Sequence, residues 1–161
     1  MRLRTSVMVL LVWAVLLLPA ATAAVGAPAK VLVKAEIMPL SAPARRGSHA
    51  LTTLVLTPPE GIKINRYPPI TLKLTAPKGI TLDAAEIKQG SSEPIEDPDD
   101  FPFKTIEPMK IGFKVEPGAA LGKTSVKGKV NFVYCVAKSG YCERTTQDVG
   151  FDVTVAPART N

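Results

Sequence analysis

Side chains that commonly carry chemistry are scarce in this sequence, which has one histidine, His49, and two cysteines, Cys135 and Cys142. A Ser-His-Asp triad would have to be built on His49, and no nucleophile-elbow sequence supplies the serine. A lone histidine at a strand start is normally a surface or satisfied polar group. One histidine, one cysteine pair and four methionines, two of them (Met1 and Met8) near the N-terminus, cannot assemble a standard metal cluster. Asp97, Asp99 and Asp100 lack the spacing of a calcium loop. No cofactor, metal or small-molecule substrate is therefore expected. The formal net charge of +6 comes without a basic run interleaved with aromatics, so nucleic acid is not an expected partner. No stretch of ten or more residues carries a convincing helical period, and no internal repeat is present.

The N-terminus reads as an export signal. Arg2 and Arg4 precede an apolar run from Val7 to Leu18, Pro19 breaks it, and Ala21-Thr22-Ala23 offers a small-x-small cleavage site. A second cut site follows Ala27. The apolar run is short for a membrane span, which needs about 20 residues. Residues 1–23 are thus expected to be removed, leaving about 138 residues, a normal size for one domain with one core. Loss of Arg2 and Arg4 lowers the net charge from +6 to +4. The expected domain covers residues 28–157, with residues 158–161 as a tail. Export to the periplasm means that a nearby cysteine pair oxidises.

What is abundant is punctuation and alternation. Fifteen prolines and eleven glycines separate short runs of period two. Val31, Val33, Ala35 and Ile37 form one such set, and Ala50, Thr52, Leu54 and Leu56 form the next. Ile70, Leu72, Leu74 and Ala76 follow, then Met109, Ile111, Phe113 and Val115. Val126, Val130, Phe132 and Tyr134 share a parity, as do Val149, Phe151, Val153 and Val155. Such alternation predicts strands with one buried face. Turns are expected at Ala44–Gly47, Pro58–Gly61, Pro77–Gly79 and Glu116–Gly118. Leu82–Lys88 fits one helical turn or a short strand. The sum is an all-β protein of seven to nine short strands, best read as an immunoglobulin-like β-sandwich, with a small closed barrel as the alternative.

Gly90–Phe103 stands apart as an acidic, proline-containing loop that carries two of the five phenylalanines, Phe101 and Phe103, beside Asp97, Asp99 and Asp100. Downstream, Cys135 ends one strand and Cys142 begins the next, with Ser139-Gly140 as the turn signal. Counting from Phe132 and Tyr134, Cys135 falls on the polar face with Lys127, Lys129 and Asn131. Counting from Val149 and Phe151, Cys142 also falls on the polar face, with Asp148 and Asp152. Both sulfurs are expected to point away from the core unless a bulge intervenes. Lys138 nearby would favour a thiolate and Glu143 would oppose it. As a staple, so short a ring contributes about 2.5 kcal/mol in the chain-entropy model.

The segment Val130-Asn131-Phe132-Val133-Tyr134-Cys135, with Gly140-Tyr141-Cys142 beyond it, resembles the N-terminal periplasmic domain family of the thiol–disulfide interchange protein DsbD. Asp99-Asp100-Phe101, with the strand from Pro108 to Val115 after it, is similar to that family's acidic-acidic-Phe cap. Glu143-Arg144 departs from the Pro-Pro usual there, and the loop between the cysteines is about one residue longer. The resemblance implies an immunoglobulin-like fold, with Cys135 and Cys142 as the exchanging pair and Tyr134 and Tyr141 flanking them. It makes Phe101 the cap, with Phe103 as its substitute. It also implies a membrane-linked electron donor and thioredoxin-like periplasmic oxidoreductases as partners, making the chain a component of protein-disulfide reduction. The other reading of the same residues is a non-catalytic immunoglobulin-like binding module with a structural bridge.

Overall fold

The computed structural model describes residues 33–159. The expected export signal and both cut sites lie outside the described residues, as does the end of the expected tail. The described residues belong to one compact unit. Along the chain run β1 (Lys34–Ile37), β2 (Ala44–Arg45), β3 (His49–Thr57), β4 (Ile62–Ile64), β5 (Ile70–Thr75), β6 (Ile80–Leu82), β7 (Glu86–Gln89), β8 (Met109–Val115), β9 (Gly122–Val136) and β10 (Cys142–Ala156). A 3-10 turn at Pro98–Asp100 is the single helical piece among the described residues.

These strands form two sheets rather than a closed barrel, the expected immunoglobulin-like sandwich. One sheet has the order β1-β3-β8-β6; the other has β2-β10-β9-β5-β7, with β4 also on β9. The inward parity read from the sequence is the buried parity. Leu54 and Leu56 of β3 and Ile111 and Phe113 of β8 face Leu72 and Leu74 of β5, Val126, Val130 and Phe132 of β9, and Phe151 and Val153 of β10. The rings of Phe113 and Phe151, one from each sheet, meet with centroids 5.5 Å apart. Each such side chain contributes about 1.5–3 kcal/mol by leaving water. The gap in β9's apolar alternation is Gly128. A Cβ there would lie 2.6 Å from the Lys73 carbonyl oxygen and 2.7 Å from Leu74 Cδ2, so Leu74 fills the space.

Two local expectations change and one alternative is decided. The turn expected at Ala44–Gly47 begins as a strand, β2, which pairs in parallel with the end of β10. Leu82–Lys88 takes the strand option, split between the end of β6 and the start of β7. The last two strands are not short: β9 and β10 each run 15 residues. The first residues of each, 123–125 of β9 and 143–146 of β10, are polar on both parities, so apolar alternation could not mark where these strands begin.

β9 shares one edge between two partners. β5 pairs along Lys127–Asn131 and β4 along Tyr134–Val136. Asn65 donates its N–H to the Val133 carbonyl, and Thr71 lies opposite Asn131. The chain therefore advances six residues where β9 advances two, and the excess loops out over Arg66–Pro69, which holds a cis Tyr67–Pro68 bond.

Candidate functional site

The β9–β10 ladder runs without a bulge from Cys142 opposite Cys135 to Val155 opposite Gly122. Strand parity therefore transmits intact from the core to the tip. The Val136 N–H donates to the Tyr141 carbonyl at 2.8 Å. That makes 136/141 a hydrogen-bonded pair and 135/142 a non-hydrogen-bonded one, the class in which side chains lie closest. The two Cα atoms are 4.0 Å apart and the sulfurs are joined, 2.06 Å apart. Beyond them Gly140 takes a left-handed φ of 69° to close the turn, a conformation that costs glycine nothing.

The two faces of this tip differ. On the inner face Tyr134 is buried, and its hydroxyl donates to Glu143 Oε2 at 2.7 Å. That bond to a carboxylate, with burial and the carboxylate's charge behind it, pushes the phenol up to about 12. On the outer face lie both cysteines, Cys142 exposed and Cys135 half-buried. Lys63 of β4 is the cross-strand neighbour of Cys135. Asn65, two residues on, sets its side-chain oxygen 3.4 Å from Cys135 Sγ. Arg144, two residues beyond Cys142 and so on the same face, sits opposite Val133. Among the described residues neither Lys63 nor Arg144 has a carboxylate within ion-pair distance.

The charges expected to act on the pair are thus rearranged. Glu143 is turned to the opposite face and held by Tyr134, while Lys138 is an exposed turn residue. Lys63 and Asn65 come from far back in the chain and escape a reading that looks only beside the cysteines. Their signal was the alternation of Ile62 and Ile64 around Lys63, too short to stand out.

The acidic loop reaches the same region from the other side of β4. Asp97 caps the 3-10 turn by accepting from the Asp99 N–H at 2.9 Å, and Asp100 lies 3.6 Å from Lys104. The Arg66 N–H then donates to the Phe101 carbonyl at 2.6 Å and the Phe103 N–H to the Ile64 carbonyl at 2.8 Å, with Pro102 bridging Asn65. Phe101–Phe103 is therefore an extra short rung on β4, two strand spacings, about 10 Å, from β9. Phe103 is half-buried and packs on the core, whereas Phe101 is 40% exposed. Tyr141, at the turn, is 53% exposed. His49 stands on the other sheet, its Nε2 2.7 Å from Asp83 Oδ2, and takes no part in this site.

No protein-family model and no curated protein matches the chain. Among solved structures, a chain of a type I cohesin–dockerin complex from Clostridium thermocellum is similar, 12% identical with a TM-score of 0.45, covering 77% of this chain and 99% of that one. At that score the likeness carries no argument about function or partner.

Proposed function

We propose that this protein is an exported dithiol–disulfide carrier of the periplasm, of the kind of the N-terminal domain of DsbD. The observation that carries the reading is the asymmetry of the pair: Cys142 is exposed on the outer face of a hairpin tip and Cys135 is half-buried beside it. Thiol–disulfide exchange needs one sulfur that an incoming thiolate can reach in line and another that can leave. A partner thiolate attacks Cys142 Sγ, the 135–142 bond breaks, and its electron pair stays on Cys135 as a thiolate. The partner's second thiolate then attacks its own sulfur in the mixed disulfide, leaves oxidised, and frees Cys142. Two electrons have entered the pair. In the outward direction the Cys142 thiolate attacks an acceptor disulfide, and Cys135 resolves the intermediate by re-forming the bond. A membrane-linked donor and thioredoxin-like oxidoreductases are the partners this chemistry suits. Of the two phenylalanines that the resemblance offers as a cap behind Asp99 and Asp100, Phe103 is packed on the core, which leaves the exposed Phe101, two strand spacings from β9, as the one free to move over the pair.

A reduction potential of the Cys135–Cys142 bond measured in glutathione buffers tests the reading. A value above about −300 mV is expected; one well below it marks a structural bridge and a non-catalytic binding module instead. In the periplasm, Cys135→Ala is expected to hold mixed disulfides through Cys142, and Cys142→Ala to hold far fewer.

A further inference from the structure

We infer that Asn65 is a catalytic residue of this exchange, the group that accepts Cys135 as the leaving thiolate; the inference rests on the carrier reading. In the oxidised pair Cys135 Sγ has no proton, so the 3.4 Å approach of the Asn65 side-chain oxygen is a contact and not a hydrogen bond. A rotation of the side-chain amide about its terminal torsion exchanges oxygen and nitrogen at the same position. The amide can then meet the sulfur in two ways once the bond opens. Its oxygen can accept from a neutral thiol, or its N–H can donate to a thiolate. Hydrogen bonds to charged partners are about twice as strong as neutral ones. The thiolate therefore gains more, and the net effect is to favour Cys135 as an anion.

The backbone fixes Asn65 for this task. Its N–H is bonded to Val133 on one side, and Pro102 pairs with it on the other. The loop that carries Phe101 and the sulfur that must leave are therefore joined through one residue. The amide is matched by nothing at Cys142, whose sulfur has a 3.6 Å approach to the Gly140 carbonyl, an acceptor that cannot stabilise an anion. The site is thus polarised: Cys142 is the sulfur to attack and Cys135 the sulfur to release.

The test uses the full chain with Asn65→Leu and the near-isosteric Asn65→Asp, each alone and in a Cys142→Ala background. In that background Cys135 is the lone thiol, and its ultraviolet thiolate absorbance titrates it. Both changes are expected to raise the Cys135 midpoint, by about one unit for Asn65→Leu and further for Asn65→Asp, whose carboxylate repels the thiolate. In the oxidised chain both are expected to slow reduction by dithiothreitol about tenfold. An unchanged Cys135 midpoint in Asn65→Leu overturns the inference, whatever the added charge does in Asn65→Asp. A bond potential well below about −300 mV in the unaltered chain, together with a shifted midpoint, instead removes the carrier reading and leaves Asn65 as a tuner of an idle thiol.

Discussion

At the scale of single residues, the tip of the β9–β10 hairpin separates two electrostatic jobs by parity alone. Tyr134 and Glu143 face inward, and the outer face carries Lys63, Asn65, Arg144 and the sulfurs. Because folding raises the Tyr134 phenol to about 12, the neutral form is the one the fold favours. Its stabilisation is complete below the unfolded value of about 10 and is lost as pH rises from there towards 12. Glu143→Gln is expected to bring the Tyr134 titration back down, read by phenolate absorbance. Lys63 is the cross-strand neighbour of Cys135, and a cation beside a sulfur favours its thiolate. Lys63→Met is therefore expected to slow dithiothreitol reduction only a few-fold, with the difference vanishing at high salt, where exposed charges are screened. The cysteines' outward direction was legible in the sequence because two parities were counted toward them through an unbroken ladder. Their neighbours were not, since Lys63 and Asn65 reach them only by tertiary pairing. Glu143, adjacent in sequence, is across the sheet.

At the scale of elements, the strands whose inner faces line the core were legible by alternation, and those serving only an edge were not. β3, β5 and β8 each bury three or more alternating residues. β2 and β4 span two and three residues, too few for a period to register. Gly128 interrupted the apolar pattern of β9 for a packing reason, and the same reason makes it intolerant of change. Gly128→Val is expected to cost about 1–3 kcal/mol in urea unfolding, because the new side chain meets the backbone of β5. Faster amide exchange should accompany it along Leu72 and Val130, the rung beside the collision. The acidic loop was legible as a loop but not as a rung on β4, because its pairing consists of main-chain bonds around a proline, to which side-chain patterns are blind.

At the scale of the whole molecule, the core of the sandwich contains neither cysteine. The interlocked inner faces lie mainly along Val126–Phe132 and Val149–Val155, with Tyr134 and Ile64 extending the core to the rung beside Cys135. A Cys135→Ala/Cys142→Ala double variant is expected to remain folded and to unfold cooperatively. Its free energy of unfolding should drop by about 2.5 kcal/mol, the loop-entropy value for so short a ring, in denaturant titration. Loss of folding would show that the core is insufficient by itself. The divided edge of β9 has a further consequence. The body of that strand is clamped by β5, but its last three residues are held on this side by β4 alone, beyond a stretch where the chain has looped out. Between Asn131 and Tyr134 this edge is held by the single bond from the Asn65 N–H to the Val133 carbonyl. The outer edge of the tip is thus held by main-chain pairing with Gly61 to Asn65 alone, so local opening there is uncoupled from the hydrogen bonds of β5.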